Sequence, residues 1–429
     1  MPKQKELRWM RLDNAAKIYP ASRSRGWSSI FRLSATLNEV VDREVLNAAL
    51  KVTAKRFPSM AVKLKHGMFW YYLEELKEPP RVLHEKSYPL CIMSKKEIKK
   101  AGFRVIAYKN RIAVEFFHSL TDGSGALVFL KSLVAEYLTQ KYGVNIPCEK
   151  GVLDRNQEPQ KEELEDNFLK YSGTISKSRA ERDAWRLKGT PTADGFLNLV
   201  CFKLPVQEVL EKAHSYKVSL NTYLCALLMK SLIEIQKAQV KKVRKRKPVK
   251  LLIPVNLRKI YGSNTLRNFA LYVTPYIDTR LGEYSIKEIC DIVHHKVGLE
   301  ANQKHMGKVI TKNVNDEKSF AVKIIPLFIK NIVMKIIFTL VGERKSCLTL
   351  SNLGAVELPE IMEDYLNRFD FILGAQASAP HNCGVISYKD TLYINFIRNI
   401  DEAFLEYGFY KVLESEGIVP TVESNYCNE

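Results

Sequence analysis

The 429-residue chain is poor in cysteine, and no two of its cysteines stand at the spacing of a redox or zinc motif. Cys91, Cys148, Cys201, Cys225, Cys290, Cys347, Cys383 and Cys427 are scattered one by one, so a CxxC-based site is excluded. No HExxH run or clustered Cys/His set points to zinc, and no resident metal is expected. Ser124 lies between two glycines, but the surrounding residues do not spell GxSxG, which argues against a serine-hydrolase nucleophile. Long apolar runs are missing too. The most apolar region, residues 319–341, is interrupted by Lys323, Lys330 and Lys335 and broken early by Pro326. It falls short of the roughly 18 consecutive apolar residues that mark a membrane span. Two readings of it stay open: a long helix packed on its own domain, or a basic amphipathic helix that makes peripheral contact with a membrane or guards a lipid-like substrate. The opening residues, MPKQKELRWMRLD, hold no apolar stretch of the secretory kind. A cytoplasmic location with reduced thiols is the expectation, with membrane-peripheral attachment as its variant.

Acidic residues are in short supply. Against 66 Lys and Arg there are 47 Asp and Glu, for a formal charge of +19. Such a surplus favours an anionic partner: nucleic acid, anionic lipid, a phosphorylated cofactor or an acidic protein; it also fits a merely solvated basic surface. The densest basic run, KKVRKRKPVK from Lys241 to Lys250, reads as a solvated connection or as a surface for the phosphates of a coenzyme A donor or for an acidic carrier protein. No nucleic-acid partner is expected, because no binding module or aromatic-interleaved basic groove accompanies the charge.

What is present suits two domains of about 200 residues each, with 46% hydrophobic and 10% aromatic residues to fill two cores. Residues 27–37 alternate in the manner of a strand. Residues 42–56 have apolar residues at helical spacing, with Asp42 placed as a cap. Short strands are expected near 60–65, 68–73, 102–108 and 111–117, with a basic helix at KKEIKKAG. The last of these strands, IAVEFF, ends on His118. The loop SLTDGSG follows, and then an amphipathic helix over 126–138 with Leu127, Leu130, Val134 and Tyr137 on one face. From about 150 to 195 the chain is polar and poorly periodic. We read residues 1–165 as a first subdomain, 166–195 as a linker and 196–429 as a second subdomain. The second half offers strands at FLNLVCFKL, LLIPV, CLTLSNLG, VISY and LYINFI, and helices over 205–216 and 219–238. Both halves share a loose order of strand, helix and sheet. His294 and His295 are adjacent on a predicted helix and read as solvated.

The chemistry centres on His118-Ser119-Leu120-Thr121-Asp122-Gly123. A histidine at the end of an apolar strand can project into a cleft while its backbone is held. Its ordinary pKa near 6.5 leaves it mostly neutral at pH 7 and able to accept a proton from an alcohol or amine. Asp122 can hold the loop through a buried ion pair. Gly123 and Gly125 permit a sharp turn or a close backbone approach. Taken alone, these six residues also fit a packed or solvated strand end.

The HxxxDG pattern does not stand alone. Pro254-Val255-Asn256-Leu257-Arg258 with Asn268-Phe269, then Ser351-Asn352-Leu353-Gly354, then Asp370-Phe371-Ile372-Leu373-Gly374 follow it in order. The set resembles the chloramphenicol acetyltransferase-like superfamily over nearly the whole chain: alcohol acetyltransferases, hydroxycinnamoyl transferases, polyketide-associated acyltransferases and condensation domains. The resemblance implies an α/β fold of two similar domains, each a mixed sheet flanked by helices, with an active-site tunnel at their interface. It implies an acyltransferase in which His118 is the general base and Ser351, with Asn352 as a second candidate, donates to the oxyanion. Asp122 would pair with Arg258, Gly123 would keep the donor channel clear, and Asp370 and Gly374 would shape the sheet. No permanently bound cofactor is implied. The donor would be acyl-CoA or an acyl-phosphopantetheine arm on a carrier protein, with a small-molecule hydroxyl or amine as acceptor, and the enzyme would work as a monomer. Two departures stand out. Leu373 replaces the tryptophan of the plant-type DFGWG segment, and Phe117, not a second histidine, precedes His118, unlike most condensation domains. A non-enzymatic lipid- or membrane-binding relative is the remaining alternative.

Overall fold

In the computed structural model, the described residues are 9–23, 29–85, 88–174, 183–319, 324–339, 343–375 and 379–425. The alternating strands of the first half assemble by pairing their apolar faces. Ile30–Leu37 lies antiparallel to Arg111–Phe117, with Leu33 opposite Val114 and Ile30 opposite Phe117. Phe103–Tyr108 pairs on the far side of Arg111–Phe117. Leu83–His84 adds a short parallel edge. The other edge is supplied from far along the chain by Leu366–Ile372, where Asp370 stands opposite Ser34. This makes a five-stranded mixed sheet. A small separate sheet joins Trp9–Arg11, Tyr71–Glu75 and Val62–His66.

Two helices cover the first sheet. Arg43–Arg56 starts where Asp42 accepts the N–H groups of Glu44 and Val45, as its sequence suggests. Gly123–Tyr142 starts three residues before the expected helix and ends at Gly143, whose φ of 70° is the left-handed turn that glycine tolerates. Its burial corrects the one-face reading. Leu127 is only half-buried, whereas Phe129, Leu133, Ala135 and Leu138 are buried beside Leu130, Val134 and Tyr137. A helix enclosed on most sides loses the polar face that a surface helix keeps. Even Lys131 is buried, donating to the carbonyls of Lys150 and Glu357. The KKEIKKAG segment forms the helix Lys95–Lys100 with a Ser94–Glu97 capping box.

The second sheet runs in the order Ala270–Val273, Val249–Asn256, Leu348–Ala355, His381–Tyr388, Thr391–Arg398, Asn198–Pro205, Thr421–Ser424, and Tyr276–Ile277 also pairs with Val249–Asn256. Leu348–Ala355 is parallel to both neighbours, and the other pairs are antiparallel. Helices Leu220–Gln239 and Phe404–Ser415 pack on it, and Leu227, Phe202, Phe396 and Phe409 meet in a second core. The segment 166–195 contributes Phe168, Trp185 and Leu187 to that core. The two sheets touch where Leu366–Ile372 passes His381–Tyr388. A Cβ on Gly384 would stand 2.2 Å from the Phe371 carbonyl oxygen, so only glycine allows this approach. The architecture is therefore α/β, with two mixed sheets, each flanked by helices.

The region 319–341 differs from the long helix expected. Its described helix is Leu327–Ile337, eleven residues starting just after Pro326; residues 320–323 and 340–342 lie outside the described set. Among the described residues no single helix is long and apolar enough to cross a membrane.

The first core is organised around Phe116, whose ring lies 5.3 Å from Phe129, 5.7 Å from Phe103 and 6.2 Å from Phe31. Phe116→Ala is expected to lower unfolding free energy by about 3–5 kcal/mol, read from denaturant titration, because the enclosed site cannot collapse around the lost ring.

Candidate active site

His118 follows the strand Arg111–Phe117 directly, and its N–H donates to the Ser29 carbonyl at 2.9 Å. Ser29 itself has φ 56°, a left-handed backbone that a serine holds only where its surroundings enforce it. The loop after His118 is pinned residue by residue. The Ser119 hydroxyl donates to the Ala16 carbonyl at 3.1 Å, and the Thr121 hydroxyl to the Leu266 carbonyl at 2.7 Å. Asp122 caps the helix Gly123–Tyr142 by accepting the Gly125 N–H at 3.1 Å. Gly125 has no alternative: a Cβ there would meet the Thr121 Oγ1 at 2.2 Å and the Leu266 carbonyl at 2.4 Å.

The second half closes on this loop through Arg258. Its Nη1 reaches Asp122 Oδ2 at 2.8 Å, its Nε donates to the Thr265 carbonyl at 2.6 Å, and its Nη2 donates to the Arg267 carbonyl. Asp122 Oδ2 also accepts the Phe269 N–H at 2.9 Å. Three donors, the N–H groups of Gly125 and Phe269 and the Arg258 guanidinium, thus meet this carboxylate. Burial alone would raise the Asp122 pKa, but the Arg258 guanidinium and the N–H donors outweigh it and hold the carboxyl below its ordinary value. Asn256 caps the short Arg258 turn and its amide donates to the Ser124 hydroxyl at 3.1 Å. Ser124 is thus a tie between the halves.

The His118 ring is caged by aromatics. Tyr19 stacks on it with centroids 4.5 Å apart and planes 15° apart, and Phe31 lies 4.9 Å away. Nδ1 is buried without a hydrogen-bond partner of good geometry among the described residues. The residue as a whole stays partly exposed. Burial lowers the His118 pKa; its own backbone carbonyl, Asp122 and the Asn268 side chain act in the other direction and do not cancel it. The imidazole is therefore neutral at pH 7 and free to take a proton. Among the described residues no carboxylate is hydrogen-bonded to it, so this is not a Ser-His-Asp arrangement.

Ser351 and Asn352 lie on Leu348–Ala355, half-buried, one step from the His118 loop. The link is Leu353. A Cβ on Gly123 would stand 2.9 Å from the Leu353 Cδ2 and 3.3 Å from the Phe371 ring, so the DG turn and the Ser351-bearing strand are in direct contact. Asn352 Oδ1 accepts the Gly354 N–H at 2.8 Å, which leaves the amide end of the side chain to donate outward. Asp370 pairs with Arg368 at 2.7 Å. The Gly374 carbonyl accepts from Asn382 Nδ2 at 2.6 Å, while Asn382 Oδ1 accepts the Thr349 N–H at 3.0 Å. Gly374 is thus tied through Asn382 to the strand Leu348–Ala355, whereas the Asp370 pair lies within Leu366–Ile372 and faces Asn395 of Thr391–Arg398.

Sequence reasoning missed the residues that cover the site from the N-terminal side. Tyr19 had no motif to signal it. Asp13 is buried, pairs with Arg267 at 2.6 Å and accepts the Asn268 N–H at 3.1 Å, fixing the residue beside the imidazole. The one available hint was Asn268 itself, next to Phe269. The basic run is exposed from Lys241 to Lys245, whereas Lys250 is buried in its strand. His294 and His295 are exposed. Among the described residues no group of three or more His, Cys, Asp or Glu is arranged for a metal.

No protein-family model matches the chain, and no curated protein matches its sequence. Solved structures do. The chain resembles Fusarium sporotrichioides TRI101 complexed with coenzyme A and T-2, at 11% identity and a TM-score of 0.62, covering 97% of this chain and 99% of that one. It resembles the condensation domain from the monacolin K polyketide synthase MokA at 11% identity and 0.57, covering 96% and 99%. It also resembles the wax ester synthase/diacylglycerol acyltransferase from Marinobacter aquaeolei VT8 at 12% identity and 0.54, covering 95% and 100%. The chain thus has the fold that these three solved structures share.

Removing one partner of the buried pair leaves an uncompensated charge. Arg258→Ala is expected to lose about 3–5 kcal/mol of unfolding free energy. The double variant with Asp122→Ala should lose less than the sum of the two single changes, as measured by denaturant titration. Because the Asp122 pKa is depressed on folding, its share of stability is in place above about pH 4 and is lost as the pH falls through the depressed value.

Proposed function

We propose that the chain is an acyltransferase that moves an acyl group from a thioester donor to a hydroxyl or amine, with His118 as general base. The observation that carries this reading is the state of His118: neutral, partly exposed, free of a carboxylate partner, and held on a loop locked by Asp122 and Arg258. The acceptor gives its proton to the open ring nitrogen as its oxygen or nitrogen bonds to the thioester carbonyl carbon. The carbonyl electrons move to oxygen, where the Ser351 hydroxyl or the Asn352 amide donates to them; one such donor is worth about 2.7–4 kcal/mol in other enzymes. Collapse breaks the carbon–sulfur bond, and the thiolate takes the proton back from His118. No acyl-enzyme is formed in this scheme. The contact of Leu353 with Gly123 supports a shared site between the halves, since Leu353 follows Ser351 and Asn352 on the same strand. The partners are then acyl-CoA and a small-molecule acceptor. Exposed Lys241, Lys242, Arg244 and Lys245 suit the phosphates of coenzyme A and suit an acidic acyl carrier protein equally.

Thiol release from a panel of acyl-CoAs with pooled alcohols and amines tests the proposal. His118→Ala is expected to lower acceptor-dependent turnover by about 10²–10⁴ while the protein stays folded; unchanged turnover would remove the role. Ser351→Ala should lower turnover at nearly constant KM. If no CoA thioester supports release, the same assay with acyl-carrier donors decides between the two donor classes.

The pH dependence follows from burial. A base with a lowered pKa stays deprotonated to more acidic pH, so the acid limb of kcat/KM should be centred below pH 6.5. An acid limb centred above 6.5 in the free enzyme would contradict the environment described for the ring.

A further inference from the structure

The helix Leu327–Ile337 is turned inside out. Its buried cation is Lys330, whose Nζ donates to the Phe69 carbonyl at 2.9 Å and lies 3.5 Å from the centroid of the Trp70 ring. Asn331 beside it donates to the Tyr71 hydroxyl at 2.9 Å. Outward, at successive one-turn steps, stand Phe328, Ile329, Ile332, Val333, Ile336 and Ile337. Phe328 is 69% exposed and Ile332 61%. The Leu327 N–H donates to the Met68 carbonyl, and Met68 at the neighbouring hairpin tip is itself 74% exposed. A helix folded for water alone puts its lysine out and its isoleucines in. Here the Lys330 ammonium and the Asn331 amide N–H find partners inside, and the large apolar side chains form one continuous outer stripe, the kind of patch that marks an interaction surface.

We propose that this stripe, with Met68, docks on an anionic lipid surface. Eleven residues of helix are about 16 Å long, too short to span a bilayer and suited to lying in its interface. Charge selects the occupant. The chain carries +19, and Lys335 is exposed on the same helix, so an anionic headgroup layer attracts this face. A second copy would bring the same positive charge against it. The helix packs on Ile18–Ser22, whose Tyr19 stacks on His118. The docked face is therefore one helix away from the proposed base. Resting on the acyltransferase reading, this placement assigns the acceptor or the acyl chain to the lipid-soluble class.

The docking itself is tested without activity. The full chain is sedimented with phosphatidylcholine vesicles and with vesicles containing phosphatidylglycerol, at low and high salt, beside Ile332→Asp and Phe328→Ser. Wild type should pellet with the anionic vesicles at least about tenfold more than with the neutral ones, and less at high salt. Each variant should lose at least about tenfold of that binding with its melting temperature unchanged. Wild type left in the supernatant overturns the proposal, and so do variants that bind as wild type does. A concentration-dependent dimer abolished by the same variants, with no vesicle binding, overturns it in favour of a second copy. Thiol release from a water-soluble acceptor, measured alongside, should be unaffected by either variant. Its absence in wild type with detergent-solubilised acceptors and long-chain acyl donors as well as water-soluble ones would count against the acyltransferase reading and leave the docking result standing.

Discussion

A carboxylate and a guanidinium 136 residues apart in sequence meet at 2.8 Å at the N-terminus of the helix Gly123–Tyr142. Asp122 caps that helix, fixes the turn after His118 and accepts the backbone N–H of Phe269. Arg258 also donates to the carbonyls of Thr265 and Arg267. The loop 265–269 is thereby held against the DG turn, and Asn268 is carried to the imidazole. Because these contacts share two side chains, they form or fail together. Such a pair is weak evidence for extra stability, since a well-packed apolar pair can do as well. It is strong evidence for register: no apolar pair specifies which carbonyls face which turn.

The residues that were legible in the sequence are those whose neighbours in space are announced by neighbours in sequence. His118, Asp122 and Gly123 share one loop, and Arg258 and Asn268 share another, so an ordered set of short motifs identifies both. Strands such as Ile30–Leu37 and helices such as Arg43–Arg56 follow from alternation and from Asp42 as a cap. What was hidden has a common cause in long-range pairing. Nothing near Tyr19 says that it stacks on a ring about a hundred residues away, or that Ala16 accepts from Ser119. The strand Leu366–Ile372 looks like any other apolar strand. That it completes the first sheet, not the second, depends on the fit of Phe371 against Gly384 and Gly123. The helix Gly123–Tyr142 was read as amphipathic because periodicity reports one face, and it could not report that the polypeptide from Lys150 and Glu357 closes over the other.

The inverted helix shows the same limit from the opposite side. Its composition was visible, with lysines interrupting an apolar run, and both a packed helix and a surface helix were consistent with it. Orientation decides between them, and orientation is set by the Trp70 ring and the Phe69 carbonyl, which give Lys330 a satisfied place inside. A cation over an aromatic face with a carbonyl acceptor keeps much of the stabilisation it would have in water. The isoleucines have no comparable reason to stay out, and that asymmetry is why the exposed stripe carries functional weight.

The environment of His118 also bears on the direction of proton flow in the proposed reaction. With Tyr19 stacked on the ring, Phe31 tilted against it and the site buried, the imidazolium is disfavoured and its pKa lies below 6.5. Lowering the pKa makes the ring a weaker base toward the incoming alcohol or amine, which costs rate at the first step. It makes the imidazolium a better acid at the second. Alkyl thiols are weaker acids than such an imidazolium, so return of the proton to the leaving thiolate runs downhill. The same ring can then be left neutral at the end of each turnover without a carboxylate to reset its tautomer. A buried Nδ1 with no acidic partner is consistent with that economy. A triad-like carboxylate there would raise the pKa, strengthen the base and hold back the proton that the thiolate needs.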